Sequence, residues 1–435
     1  MENNTNPAFT LDGKMPLGKA FPIGLQHVLA MFVANITPIM ILTGICNLDP
    51  ALKANLVQNS MIIAGIGTLI QLFPIFKTVG SGLPIVMGIS FTFLSVAIGV
   101  ATTKGYGTMM AAVIIGGIVE GLLGLFAKYW IKIITPTIAA TVVVAIGFSL
   151  LPVGANSFAG GFGAADFGSA QNWIVGTVTL FSCILFRVCT KGYWKMISVL
   201  FGLIVGYILA VCMGMVDFSI LKGVGFVSLP QVLPFELNFD LGAILAFVVI
   251  FLVSATETIG DTSALAAVGL HRDVTTKEIS GSLACDGFVS SIAGVFGCTP
   301  ITSFSQNVGL VGMTGVVNRI AIALGAAVMI VAGIFPAFGA LLTTVPQCVL
   351  GGCTIMMFGY IVLAGFDMLS RIKMDTRNKT IVALSLSVGL GFTQAKAMFA
   401  IFPEIIQSIF AENCVAVVFV LAVLVNLIYP KKERE

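Results

Sequence analysis

Long apolar runs recur along the whole 435-residue chain, and they constrain its fold more than any motif does. Only 9% of the residues are charged and 58% are hydrophobic, whereas water-soluble domains carry roughly 25% charged residues. Runs of about 17 to 25 apolar residues are long enough to cross a bilayer as helices. We count fourteen such runs, several of them short or broken. The sequence therefore predicts an all-α polytopic membrane protein with 14 transmembrane segments.

The basic residues test this count and orient the chain. The runs begin near residues 20, 54, 82, 107, 133, 171 and 195, and then near 240, 278, 300, 316, 344, 378 and 412. With the N-terminus inside, 18 of the 22 Lys and Arg residues fall in the tails or in inward-facing connections, as expected for cytoplasmic loops. The four left outside are Lys53, Lys104, Lys222 and Lys396. We expect residues 1–19 and 431–435 to be cytoplasmic tails. The polar N-terminus has no cleavage signal, so the first helix is expected to be retained.

The third and tenth runs, 80–94 and 297–312, each contain an early break at Gly and Pro. Pro84 and Pro300 lie 216 residues apart, about the distance between the first runs of the two halves. The chain therefore divides into two repeats of seven, and an odd number forces one repeat to be inverted. Matching interrupted segments in inverted repeats indicate a secondary transporter with a site near the midplane. The alternative is that Pro and Gly are simply common in membrane helices.

β-branched and aromatic residues follow each break. We predict that segments 3 and 10 are part extended strand and part short helix. If the two strands cross, they can pair their backbone groups and leave no polar group bare in lipid. The half-helices would then direct their first N–H groups towards a ligand.

Carboxylates in the second half are the main candidates for proton coupling. Ser254, Glu257 and Asp261 share the spacing i, i+3, i+7 and hence one helix face. A carboxylate in a membrane span costs about 2.5 to 3.5 kcal/mol on insertion scales, so two on one face point to function. Burial and mutual repulsion would keep a proton on at least one of them. The alternative for Asp261 is a solvated pair with Arg272.

Other polar residues in the spans have weaker signals. Asp286 is expected either to orient or protonate the site, or to pack locally against Ser282 and Ser290. A lone intramembrane histidine such as His27 is more often structural, and we expect it to brace an interrupted segment. The roles of two further buried candidates are left open, Glu120 and Asn35.

Gln306 and Asn307 follow the second break, and an amide offers both donors and acceptors, which matches the mixed edge of a nucleobase. An ionised Glu257 would accept hydrogen bonds from ring N–H groups. Phe91 and Phe304 could face a flat ring, although either aromatic alone is more often directed to lipid or to the core.

Several classes are disfavoured. The nine cysteines lie mostly inside apolar runs, with no disulfide framework and no metal-ligand spacing, so neither a metal nor a cofactor is expected. A net charge of +3 is too small to indicate nucleic-acid binding. No activated nucleophile is evident, so we do not expect an enzyme.

The run from Gln306 to Gly315 resembles the signature of the nucleobase–ascorbate transporters, also called nucleobase:cation symporter family 2. The likeness extends to other spans, in Gly24-Leu25-Gln26-His27, Gly82-Leu83-Pro84, Ser90-Phe91, Glu257 with Asp261, and Asp286-Gly287. Gln306 followed by Thr314-Gly315 is similar to the xanthine and uric acid branch. Glu in place of Gln306 would resemble the uracil branch.

This resemblance implies a core domain (spans 1–4 and 8–11, residues 20–130 and 237–340) that moves past a gate domain (spans 5–7 and 12–14, residues 131–236 and 341–430) in an elevator-like manner. It further implies a homodimer in the inner (cytoplasmic) membrane that takes up an oxidised purine with a proton. The implied substrate-binding residues are Glu257, Gln306, Ser90, Phe91, Phe304 and Ser305. The implied proton-coupling or supporting residues are Asp261, Asp286, Asn307 and His27. Ser90 stands where other members have Asn, and the smaller side chain favours uric acid beside xanthine.

Two alternatives remain open. A uracil or other nucleobase symporter is disfavoured by Gln306. An anion exchanger or channel of the sulfate-transporter type resembles this fold, but Glu257 and Asp261 would repel an anion. The preferred purine, the proton stoichiometry and the choice between proton and sodium are not determined by the sequence.

Overall fold

The computed structural model describes residues 7–131, 134–222, 225, 227–403, 406–411 and 413–429. The predicted C-terminal tail, 431–435, lies outside them, as do the first six residues of the N-terminal tail and Lys132, which was counted as inward-facing.

The structure is mostly helical, 75%. The first half contains α1 (Leu17–Ile45), α2 (Pro50–Leu72), β1 (Met87–Ile89), α3 (Leu94–Thr103), α4 (Tyr106–Leu125), α5 (Ala127–Trp130), α6 (Pro136–Phe158), α7 (Ala170–Cys189), α8 (Tyr193–Met196) and α9 (Ser198–Cys212). The second half contains α10 (Leu241–Leu270), α11 (Thr276–Val295), β2 (Ile301–Ser303), α12 (Ser305–Thr314), α13 (Arg319–Ile334), α14 (Pro336–Thr343), α15 (Gln347–Ser370), α16 (Thr376–Gln394) and α17 (Cys414–Ile428).

Among the described helices, six are each long and apolar enough to cross a membrane, namely α1, α4, α6, α7, α10 and α15. The run predicted to begin near 316 is bent by 81° between α13 and α14, and this pair would make a seventh. The bend falls at Pro336, which has no N–H to continue the helical hydrogen bonds. The chain is thus a multi-pass membrane protein, while the fourteen-segment inverted repeat stays a prediction.

Two groups of helices are distinguished by their contacts. In the first group, α13 packs along α1 and α2, and α4 packs along α10 and α11. In the second group, α15 packs along α6 and α7, α9 packs along α7, and α16 packs along α17 and α6. The domain boundaries inferred from the sequence remain predictions.

Glycines let α4 and α11 approach each other closely. A Cβ atom at Gly287 of α11 would lie 2.6 Å from the Gly117 carbonyl oxygen and 2.6 Å from the Gly121 Cα, both on α4. A larger residue at 287 would therefore force the helices apart. Small residues at such contacts are typical of membrane proteins, where close packing rather than the hydrophobic effect holds helices together.

The start of α10 is fixed by polar contacts of Asp240. Asp240 caps α10 by accepting from the Ala243 N–H at 2.7 Å, and Lys104, which follows α3, donates to the same carboxylate at 2.8 Å. The hydrogen bond from Lys104 holds the pKa of Asp240 below its usual value. This contact ties the first interrupted segment to the helix that carries Glu257.

The predicted extended parts of segments 3 and 10 are confirmed. β1 and β2 pair antiparallel, with Gly88 opposite Thr302 at the centre of the pair. Two further hydrogen bonds extend the ladder, from Ser90 N to Pro300 O at 3.0 Å and from Phe304 N to Val86 O at 3.0 Å. A short helix follows each strand, α3 after a single 3-10 turn and α12 directly. The two strands satisfy each other's backbone groups, as the interior of a membrane protein requires.

Candidate functional site

The two carboxylates of α10 contact the starts of two different half-helices. Glu257 accepts a hydrogen bond from the Thr92 hydroxyl, in the turn that leads into α3. Asp261, one turn further along α10, accepts from the hydroxyls of Ser303 at 3.2 Å and Ser305 at 3.0 Å, where β2 passes into α12. One face of α10 therefore bridges both interrupted segments.

The alternative pairing of Asp261 with Arg272 is not formed. Arg272 instead donates to both carboxylate oxygens of Glu278, at 3.0 and 2.5 Å. In the described part of the chain, neither Glu257 nor Asp261 has a salt bridge to Lys or Arg. The two carboxylates are thus held by hydroxyl groups alone, so adding or removing a proton breaks no ion pair.

Asp286 is fully buried and joins three elements. Its Oδ2 accepts from the Thr258 hydroxyl of α10 at 2.6 Å and from the Ser303 N–H of β2 at 3.0 Å. Its Oδ1 accepts from the Gln71 amide of α2 at 3.0 Å. Asp286 therefore fixes the end of β2 between α2 and α10. These partners lie on other elements, so Asp286 orients the site and does not merely pack against serines of its own helix.

His27 and Asn307 are buried and in contact. The Asn307 side-chain nitrogen donates to the Pro84 carbonyl at 2.7 Å. The Asn307 Oδ1 atom accepts a hydrogen bond from His27 Nδ1 at 2.5 Å. His27 thus braces α12 against α1, and Asn307 connects α12 to the first break. Asn35, which the sequence left without a partner, accepts from the Ile89 N–H at 2.8 Å and braces β1. The parts that His27 and Asn307 play in transport stay predictions.

Two of the predicted substrate-binding residues occupy the first turn of α12. Ser305 is exposed and Gln306 is half-buried. No side-chain cap is made at the start of this helix by Phe304. The first N–H groups of an uncapped helix can donate to an acceptor on a ligand, and the helix dipole favours negative charge there.

The predicted aromatic residues are buried and engaged in packing. The ring of Phe304 covers Gly88 of β1, where a Cβ atom would lie 2.5 Å from Phe304 Cε2. The ring of Phe91 meets Phe358 of α15 edge-on, with 5.3 Å between the centroids. Ser90 is also buried, and its hydroxyl accepts from the Thr92 N–H at 3.3 Å. Stacking of either ring on a ligand stays a prediction.

Four polar partners of the carboxylates were missed by the sequence reasoning, namely Thr92, Thr258, Gln71 and Ser303. Only Gln71 carries a usable signal, because a glutamine deep in an apolar run is costly to leave unpaired. Ser and Thr are frequent in membrane helices and often bond to their own backbone, so their pattern does not identify the carboxylate they meet.

Over the residues that the structure describes, no group of three or more His, Cys, Asp or Glu side chains is placed to hold an ion.

The crossed strand and half-helix segments define a membrane transporter fold. The solved transmembrane domain of BicA, a cyanobacterial bicarbonate transporter, matches with a TM-score of 0.59 and 16% identity, covering 95% of this chain and 98% of that one. A likeness at this identity concerns the fold alone.

Sequence relatives give the family. The model described as "Permease family" (Xan_ur_permease) matches residues 18–398. The chain is 33% identical to xanthine permease XanQ of Escherichia coli (strain K12), covering 98% of this chain and 94% of XanQ. It is 34% identical to uric acid permease PucK of Bacillus subtilis (strain 168), covering 87% of this chain and 88% of PucK. The chain belongs to this permease family, the nucleobase–ascorbate transporters.

Proposed function

We propose that this permease is a secondary active transporter that takes up an oxidised purine, xanthine or uric acid, together with a proton across the cytoplasmic membrane. The observation that carries the proposal is the bridge made by Glu257 and Asp261 from one face of α10 to the starts of both half-helices. The names of the relatives, xanthine and uric acid permeases, support the substrate class.

Recognition of the purine would combine a charge, an amide and backbone groups. Glu257 accepts from a ring N–H, and Gln306 offers a donor and an acceptor to the carbonyl and N–H pattern of an oxidised purine. The N–H groups of the first turn of α12, with the Phe91 N–H, donate to the purine oxygens. Such a site rejects a base that lacks these groups, because buried polar atoms are then left unpaired.

The proton would compensate the charge of the site. Glu257, Asp261 and Asp286 place up to three negative charges in one part of the membrane, and no basic side chain pairs with them in the described residues. Moving three ionised carboxylates past the apolar gate costs free energy, because the charges are held in a low-dielectric environment. A proton taken up with the purine lowers this cost, so that only the loaded site crosses readily.

The movement we propose is elevator-like, between a core of residues 20–130 and 237–340 and a gate of residues 131–236 and 341–430. The hydrogen bonds of the site join α1, α2, α10, α11 and the two interrupted segments to one another. Phe91, by contrast, meets the second group of helices through the Phe358 ring. The hydrogen bonds of the site itself thus lie within the proposed core, and the Phe91 contact with the gate is apolar. We include in the proposal fourteen segments in two inverted repeats, a homodimer, and cytoplasmic termini.

Competition of labelled xanthine uptake tests the proposal. Uric acid should compete, uracil should not, and a protonophore should abolish accumulation. The uracil alternative predicts competition by uracil alone. The anion-exchanger alternative predicts that bicarbonate or sulfate competes and that purines do not.

A further inference from the structure

Glu120, in α4, is a buried carboxyl group that the proposed site does not use. It is only 2% exposed. Neither of its carboxyl oxygens has a hydrogen-bond partner among the described residues. The great majority of buried polar groups are paired, so an unpaired carboxyl at this depth requires an explanation.

The packing of α4 on α10 places Glu120 and Ser254 at the same level of the two helices. Gly107, near the start of α4, lies against the Glu236 carbonyl just before α10, and Gly116 lies against the Phe251 ring. The two helices therefore run in the same direction. One turn beyond this contact come Glu120 on α4 and Ser254 on α10. Ser254 is fully buried, and its hydroxyl also has no partner in the described structure.

The packing of α4 on α11 brings Glu120 towards Asp286. The helices are antiparallel, because Gly117 meets Gly287 whereas Gly124, further along α4, meets Ala284. The titratable groups of these two helices near Glu120 are Asp286 of α11, next to Gly287 at this contact, and Glu257 of α10, three residues beyond Ser254. The third neighbour, α3, contributes no titratable side chain.

We infer that Glu120 is a second proton-binding residue of the transporter, which exchanges its proton with Glu257 through the Ser254 hydroxyl and bridging water molecules. This inference rests on the proposed proton symport. An ionised carboxylate without a partner is very costly in a low-dielectric interior, so Glu120 holds a proton in the state described here. Ser254 and Glu257 are spaced i, i+3 and lie on the same face of α10.

The exchange conserves charge and atoms. One water takes the proton released by the Glu120 carboxyl and gives a proton to the Ser254 hydroxyl. The hydroxyl passes its own proton to a second water, which gives a proton to the Glu257 carboxylate. Glu120 becomes ionised as Glu257 becomes neutral, so the total charge of the two groups is unchanged. Glu120 would thus be a reservoir that lets Glu257 change protonation without opening to water.

Glu120→Gln tests the inference, because glutamine keeps the size of the side chain and is permanently neutral. Infrared difference spectra of wild type against the variant should contain the carbonyl stretch of one protonated, weakly bonded carboxylic acid. In transport, the variant should still bind xanthine and exchange it across the membrane, but proton-driven accumulation should fall by about tenfold, as for a typical coupling energy, with an altered pH profile. A missing infrared band, or accumulation with the wild-type pH profile, overturns the inference.

Ser254→Ala provides a second test that leaves Glu120 intact, and it serves if Glu120→Gln does not reach the membrane. Proton-driven accumulation should again fall while binding is kept, and wild-type accumulation would contradict the relay. Ser385→Ala is the matched control, because Ser385 on α16 is likewise a buried hydroxyl without a described partner, in the other group of helices. If wild-type uptake itself resists a protonophore, the proposed symport fails, and the infrared band still decides whether Glu120 carries a proton.

Discussion

The Thr92 hydroxyl donates a hydrogen bond to the Glu257 carboxylate. Thr92 belongs to the interrupted segment of the first half of the chain, whereas Glu257 belongs to α10 in the second half. The bond therefore joins the two halves at the residue proposed to bind both purine and proton. It also fixes one carboxylate oxygen of Glu257 and leaves the other for a ligand.

Thr92→Val removes this donor while keeping the shape of the side chain. A hydrogen bond to a charged group contributes about 1.5 to 3 kcal/mol, so we expect xanthine affinity or uptake efficiency to fall by about 10- to 100-fold. Uptake kinetics in whole cells measure this. Thr102→Val is the control, because Thr102 is exposed and bonds only to its own helix backbone. Equal effects of the two substitutions would contradict the assignment of Thr92.

Asp286→Asn should destabilise the protein even without substrate. An amide cannot accept from the Thr258 hydroxyl, the Ser303 N–H and the Gln71 amide with a single oxygen, so one buried donor is left unpaired at a cost of about 1 to 3 kcal/mol. The melting temperature in detergent should fall. Asp217→Asn, in an exposed loop, should leave it nearly unchanged, and a fall of the same size there would contradict this account of Asp286.

His27 and Asn307 should behave as a coupled pair. We expect the effects of His27→Ala and Asn307→Ala on xanthine binding to be non-additive, with a coupling energy of about 0.5 to 3 kcal/mol. A double-mutant cycle from equilibrium binding measures this energy. Additive losses would mean that the two residues act separately, despite their 2.5 Å contact.

Asp240 should make the stability of the protein depend on pH in the acidic range. Its pKa is lowered by the hydrogen bond from Lys104, so its stabilising contribution is present above the ordinary Asp value, about 3.9, and is lost as the pH falls through the lowered pKa. Since the pair is partly exposed, Asp240→Asn should cost no more than about 1 kcal/mol at neutral pH. The difference in melting temperature between wild type and variant should be constant near neutrality and shrink in strong acid. If the difference in melting temperature instead grew as the pH fell, it would contradict a lowered pKa of Asp240.

The crossed strands were predictable from the sequence because two independent signals agreed. Pro84 and Pro300 each disfavour regular helix, and β-branched residues follow both, so the local preference and the repeat spacing indicate the same structure. The carboxylates Glu257 and Asp261 were predictable because charge in an apolar run is rare.

The partners of those carboxylates could not be predicted in the same way. Whether a threonine such as Thr92 bonds to its own helix or to a distant carboxylate depends on how far α10 and the first interrupted segment approach, which no local pattern encodes. The hydrogen-bonding state of Glu120 could not be predicted from the sequence either. Its charge was visible in the sequence, but the absence of a partner among the described residues became evident only with α4 packed between α10 and α11.

The most direct test of the central claim is xanthine transport by Glu257→Gln in proteoliposomes with an imposed pH gradient, alongside equilibrium binding to the same preparation. If Glu257 links protonation to substrate, the variant should still bind xanthine, but its uptake should lose its pH dependence and xanthine should no longer accumulate against its gradient. Proton-driven accumulation equal to that of the wild type would contradict the account.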